Sequence, residues 1–332
     1  MVYALQLERF VQVEGRHMVN RRRALGVACL LGSLLVSACT SSWGSEKLAV
    51  WTQALADSQR DGPELLLFRR GDRKLAFIGV QHDSDPASRT HRLIDSTFLI
   101  LKPRVVIVEG APTSWGYNPK RLIEVGGQRP DAQGLLPEGE TVPTVRGALA
   151  SGSIIVGGEP SDSDVRRIAA TRGVSDEDLL GFYVLRVVPQ WLSQREFDDL
   201  SSTRATALID NQLSRSRAEL KLSTDLLPDA AAWRRWRLER NVGASPNRID
   251  IKEAGPLADG PWKTSQVGAA ISRARDTHLY ELTRAELAKH RSVLVVFGGS
   301  HALIQLPALK RLMGPPCYRG DNAESVPMTC ES

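Results

Sequence analysis

Two histidines stand in the same local setting. His82 follows "LAFIGVQ" and His301 follows "VLVVFGGS", so each lies three residues after a glycine that closes an apolar run. Two glutamates share that position: Glu109 closes "RVVIVEG" and Glu159 closes "SIIVGGEP". Apolar, β-branched runs of this length read as buried strands of a parallel sheet. An open parallel sheet gathers its ligands at the carboxyl ends of its strands, so four protonatable side chains at four strand ends predict one site. A strand-end histidine alone is explained as a turn residue, and a strand-end glutamate alone as a helix cap; four together are not. The set supports two chemistries. Imidazoles and carboxylates can hold a divalent ion that activates water, or they can work without one, because an imidazole titrates near neutrality. Asp83 and Asp85 are expected to cap the next helix, His91 and His278 to pack on helices, and Trp233 and Trp236 to fill a helical core.

The elements that would position these groups alternate. "ELLLFRRGDRKLAFIGV" reads as a β-hairpin about Gly71-Asp72. Leu93, Ile94, Thr97, Phe98 and Leu101 fall at helical spacing, and Pro103 ends that helix before the strand that carries Glu109. Strand, helix, strand is a βαβ unit. Residues 111–140 are dense in glycine and proline and read mostly as loop. Helices over 142–150 and 163–171 flank the Glu159 strand. Residues 177–260 read as helical, broken at Pro189, and form either an insertion or a cap over the sheet. A long helix over 264–290, a strand over 292–297 and a helix from Pro307 close the pattern. The fold class is α/β, with a mixed, mostly parallel central sheet flanked by helices.

The amino terminus stands outside that fold. Arg21–Arg23 precede a short apolar stretch over 24–36, too short to span a bilayer and suited to a secretory signal. "LVSAC" resembles the bacterial lipoprotein box, which implies lipidation, palmitate included, at Cys39 and a mature chain from there. Met18 is a second candidate start. The expected organisation is a signal peptide over 1–38, a tether over 39–62, the α/β domain over 63–314 and a tail over 315–332. Residues 1–38 hold five Lys/Arg and two Asp/Glu, a surplus of three, which lowers the net charge from +5 for the whole chain to +2 for the remainder. That balance gives no ground for nucleic-acid binding. Of the four cysteines, Cys317 and Cys330 remain, and in an exported protein two remaining cysteines are expected to pair.

The segments "FIGVQHDSD", "LKPRVVIVEG", "IIVGGEPSD", "RARDTHLYEL" and "RSVLVVFGGSHAL" together resemble the TraB/GumN/TIKI superfamily, which is related in fold to the erythromycin esterases and the ChaN-type haem-binding lipoproteins. The resemblance spans roughly residues 63–314. It implies that His82, Glu109, Glu159, His301 and, on the penultimate helix, Arg275 form the catalytic site. The peptidase-like members imply a divalent metal (Mn, Co or Zn) on His82, Glu109 and His301. The erythromycin esterases imply a histidine base without a metal, and the ChaN-type proteins imply haem binding without catalysis. The chain departs from the peptidase-like pattern in having Gln81 and Ser300 before its histidines, where threonine or alanine is commoner. The expected activity is therefore that of a lipid-anchored cell-envelope hydrolase, facing the periplasm from the outer membrane in a Gram-negative cell, with a peptide, ester or haem as its ligand and the membrane as its partner.

Overall fold

The computed structural model describes residues 47–322 and Ser325. The expected signal peptide, the lipidation site Cys39 and the cysteine Cys330 lie outside the described residues.

After a short helix α1 (Gln53–Asp57), the chain forms the expected hairpin of β1 (Glu64–Arg70) and β2 (Arg73–Val80). Arg70 pairs with Arg73, and Gly71 supplies the turn at φ 61°. Helix α2 (Arg89–Leu101) leads to β3 (Val105–Pro112). The hydroxyl of Ser88 caps its first turn. A 3-10 turn over Thr113–Trp115 and the helices α3 (Lys120–Gly126) and α4 (Thr141–Ser151) come before β4 (Ile154–Glu159). Residues 111–140 are mostly loop, as expected, with α3 and the 3-10 turn set within them. Then come α5 (Asp162–Ala170) and the helical block α6 (Asp176–Leu185), α7 (Val188–Ser193), α8 (Thr203–Leu220), α9 (Ala230–Arg240) and α10 (Ile251–Ala254). The chain closes with α11 (Lys263–Lys289), β5 (Ser292–Gly298), α12 (Gly299–Met313) and a short β6 (Tyr318–Gly320).

The six strands form one sheet in the order β4-β3-β5-β2-β1-β6. The four that carry the candidate residues run parallel, β1 runs antiparallel to β2, and β6 runs antiparallel to β1. The late strand β5 inserts between β2 and β3, which brings the ends of the early and late motifs together. The sheet's two faces follow the two-residue period of extended chain. Leu75, Phe77, Val293, Val295 and Ile107 face α11 and α12, whereas Ala76, Ile78, Leu294, Val296 and Val106 face α2 and α4.

One sequence expectation is corrected and one alternative is resolved. The last helix begins at Gly299 rather than at Pro307, which lies inside it, so His301 stands in a helical first turn and not in a loop. The helical block is an insertion rather than a cap: among the described residues, none of its side chains joins the core clusters on either face of the sheet. It packs on α5 and α11 around its own core, where Trp233 and Trp236 are buried with Leu180, Ile209 and Ile271. The tryptophans are packing residues there, their indole N–H groups donating to the Gly181 carbonyl and to Asp178.

Candidate active site

The paired glycine motifs meet at one junction. β2 and β5 end level, with Gly79 opposite Phe297 and Val80 opposite Gly298. A Cβ at Gly79 would stand 2.8 Å from the Ala302 Cβ and 3.1 Å from the Gly299 Cα. The first glycine therefore makes room for the helix that carries the second histidine. Likewise, a Cβ at Gly158 would lie 2.4 Å from the Phe297 ring, so the double glycine before Glu159 lets β4 end against that ring.

His82 lies just beyond β2. Its Nδ1 donates to Glu140 Oε1 at 2.5 Å, and Glu140 is buried at the start of α4. Burial opposes the imidazolium, but the hydrogen bond and charge of Glu140, with Glu109 behind it, outweigh that and raise the pKa to about 8. The same pair holds the Glu140 carboxyl below its ordinary value, although burial pushes it up. The loop after His82 is fixed by His91, whose Nε2 donates to the Asp83 carbonyl at 3.1 Å. Asp83 and Asp85 bond backbone N–H groups within that loop, and the helix cap is Ser88 instead.

His301 repeats the arrangement in a sealed position. Its Nδ1 donates to Asp276 Oδ1 at 2.7 Å, and its Nε2 stands 3.9 Å from Glu109 Oε1. Burial again opposes the charge, and Asp276, helped by Glu109, wins, so its pKa is raised.

Arg275 joins the two glutamates. Its Nε reaches Glu159 Oε2 at 2.8 Å and its Nη2 reaches Glu159 Oε1 at 2.5 Å and Glu109 Oε1 at 3.1 Å. The other oxygen of Glu109 accepts from the Gly298 N–H at 2.7 Å. Burial would raise the Glu159 carboxyl; the guanidinium overrides it and holds the carboxyl below the ordinary range. Arg275 itself is raised well above its ordinary value by the two carboxylates, against burial.

The five residues expected at the site, His82, Glu109, Glu159, Arg275 and His301, thus do share one end of the sheet. Four participants had no assigned role in the sequence reading. Glu140 sits in a glycine-dense stretch without periodicity. Asp276 is the neighbour of Arg275 and points about 100° further round α11. His278, expected to be packing, has its Nε2 2.8 Å from the Thr113 hydroxyl, which also donates to the Gly157 carbonyl at 2.7 Å. Tyr183 of α6 stands beside Glu159 and Arg275, its hydroxyl pKa pushed up by burial, with the Arg186 guanidinium 4.0 Å over its ring. Cys317 is disulfide-bonded, and its expected partner Cys330 lies outside the described residues.

Among the described residues, no group of three or more His, Cys, Asp or Glu side chains is placed to hold a metal ion. Use of these side chains as ligands would require the ion pairs of Arg275 to rearrange. The Arg275 guanidinium already takes the charge of both glutamates, and a cation on Glu109 would have to displace it.

Comparison with protein-family models, with curated proteins and with solved structures gave no match, so the geometry and the chemistry of these residues carry the functional argument.

Proposed function

We propose that the protein is a lipid-anchored cell-envelope hydrolase that cleaves a carboxylic ester or amide, with His82 as general base and Arg275 opposite the oxyanion. One observation carries this reading: a partly exposed imidazole, held at Nδ1 by a buried carboxylate, shares a sheet edge with a partly exposed guanidinium. In the reaction, the His82 Nε2 takes a proton from water as the water oxygen bonds to the carbonyl carbon. The carbonyl π pair moves to its oxygen, where Arg275 offsets the charge. As the C=O re-forms, the bond to the leaving group breaks, and that group takes the proton from His82. His301, Asp276 and Glu109 are positioning residues that hold Arg275 and the start of α12. Lipid anchoring rests on the resemblance of the Cys39 segment to a lipoprotein box, and the hydrolase class accords with the resemblance to the TraB/GumN/TIKI superfamily.

The test is hydrolysis of p-nitrophenyl esters and fluorogenic peptides by the full chain in detergent, beside His82→Ala. Turnover that rises with pH through about 8 and vanishes in the variant is expected. Equal turnover in both proteins, or none in either, sinks the reading.

The metal-dependent reading, with Mn, Co or Zn on His82, Glu109 and His301, keeps one observation in its favour. Both imidazoles are oriented through Nδ1 by carboxylates, as metal-bound histidines are. Near-stoichiometric metal in the wild type that is lost from His82→Ala/His301→Ala would replace the metal-free scheme. A Soret band on haem titration, lost in His82→Ala, would instead support the ChaN-like, non-catalytic reading.

A further inference from the structure

One guanidinium beside the candidate active site has no part in the hydrolytic scheme. Arg186 is half-buried at the end of α6 and lies 4.0 Å over the Tyr183 ring, three residues earlier on that helix. Other arginines of the helical block serve the fold: Arg217 donates to the carbonyls of Leu226 and Leu227, and Arg237 is closed in by Glu253. The Arg186 side chain makes no hydrogen bond and no ion pair among the described residues. None of its nitrogens is both buried and unpartnered, so its N–H edge is open to solvent. A guanidinium seated over an aromatic ring keeps that edge for bidentate contact with a carboxylate.

Tyr183 ties this guanidinium to the candidate site. Its ring is buried in one cluster with Ile271 of α11, and Arg275 lies one turn further along that helix. Its hydroxyl donates to Asp162 Oδ1 at 3.4 Å, and Asp162 opens α5 three residues after Glu159. Besides burial, the charges that act on that hydroxyl are those of Arg186, Asp162, Arg275 and Glu159. Arg186 and Arg275 therefore share one aromatic neighbour. Two carboxylates face Arg186, Asp162 from α5 and Glu219 from α8, and neither is in ion-pair contact with it. Burial disfavours the charge of both, and Arg215 of α8 adds a second half-buried guanidinium near Glu219. The two acids are thus weak counter-ions, and a carboxylate that docks edge-on is the stronger partner.

We propose that Arg186 is a specificity residue that binds a carboxylate of the substrate while Arg275 faces the scissile carbonyl. The substrate class is then an ester or amide that carries a free carboxylate, such as a peptide with an open C-terminus or the half-ester of a dicarboxylic acid. The reacting bond rests on the hydrolase reading, whereas the anion contact rests on Arg186 alone. The two are therefore separable by a binding measurement that needs no turnover.

The experiment compares p-nitrophenyl half-esters of glutaric, adipic and suberic acid with the matching methyl p-nitrophenyl diesters, which are neutral, on the full chain in detergent. At least one half-ester is expected to show kcat/KM about tenfold or more above its diester, the worth of a charge-assisted hydrogen bond. Arg186→Gln is expected to remove that preference through KM, and Arg186→Lys, which keeps the charge without the fork, to retain part of it. Calorimetric titration with adipamate and suberamate, against their neutral diamides, reads the same preference without turnover, and it too should be lost in Arg186→Gln. No turnover on any ester, with the amates still bound through Arg186, sinks the hydrolase reading and leaves the anion site standing. The inference is overturned if neither measurement prefers the carboxylate, or if Arg186→Gln keeps the preference. It is also overturned if the cationic aminohexanoate p-nitrophenyl ester is the best substrate, which would assign recognition to Asp162 and Glu219.

Discussion

His82 and His301 are held alike and exposed differently. Each ring donates through Nδ1 to a buried carboxylate, Glu140 or Asp276, yet 20% of the His82 side chain meets solvent against 2% of the His301 side chain. His82 sits in a loop beyond a strand, where a substrate can reach it. His301 sits in the first turn of α12, with the Phe297 ring edge-on at 5.5 Å between centroids. The pairing motif is therefore not what separates a chemical histidine from a positioning one. Access is. A sealed ring 3.9 Å from Glu109 helps fix the place of that carboxylate, while an accessible imidazole can trade a proton with a bound molecule.

The sharpest break between the two is His82→Ala, which should lower kcat/KM by about 10²–10⁴-fold while the unfolding midpoint at pH 9, above the folded pKa of about 8, stays close to that of the wild type. Turnover assays and calorimetry on the same preparation would check both halves. Loss of stability with retained turnover would reverse the assignment. Next in size, Asp276→Asn breaks the buried His301–Asp276 pair and should cost about 3–5 kcal/mol of stability, read by urea unfolding.

A smaller effect concerns pH. The folded His82 pKa of about 8 lies above its ordinary value of 6.5, so the Glu140 pair stabilises the fold fully below pH 6.5. That stabilisation is lost as pH rises through about 8. The shift corresponds to about 2 kcal/mol. The difference in unfolding free energy between wild type and His82→Ala should therefore be larger at pH 6 than at pH 9 by about that amount. The smallest change is expected in Glu140→Gln. With the carboxylate charge gone, burial governs His82, and the rising limb of the pH–activity profile should move down by roughly one pH unit or more. An unmoved limb would show that another group sets it.

Much of this arrangement was legible in the chain. A strand end is a place where side chains of distant segments must meet, so reading His82, Glu109, Glu159 and His301 as strand-end residues was enough to gather them. Their partners were harder, because no such rule reaches them. Glu140 lies in "PEGE", where glycine and proline erase any period, and only the start of the following helix brings it to His82. Asp276 was visible as the neighbour of Arg275, but its role depends on the helical phase that turns the two side chains to different sides of α11. Pro307 misled in the other direction. Proline favours a helix's first turn, yet here it sits within α12, and the true start is marked by Gly298 and Gly299, a weaker signal. β6 is three residues long, too short for a two-residue period to register.

The contrast with the helical block is also informative. There Arg237 and Glu253 form a fully buried bidentate pair at 2.7 Å on each arm, completed by Asn241 and by the carbonyls of Ser245 and Arg248. Every arm of that network has a partner, so it is suited to joining α9 to α10. The cluster at Arg275 adds a second glutamate and stands partly open, which is what a reacting group requires.

The little strand β6 has a consequence for how the border of the sheet is guarded. It lies along β1, with Leu65 opposite Gly320 and Leu67 opposite Tyr318, and is carried by a segment anchored at the disulfide-bonded Cys317. At the far edge, Asn118 binds Ile155 through both its backbone N–H and its side-chain oxygen. Neither border of the sheet is left as a bare ladder, and unpaired strand borders are where one chain zips onto another. Reducing the disulfide would loosen the β1 border first and bare a ladder onto which another strand can add.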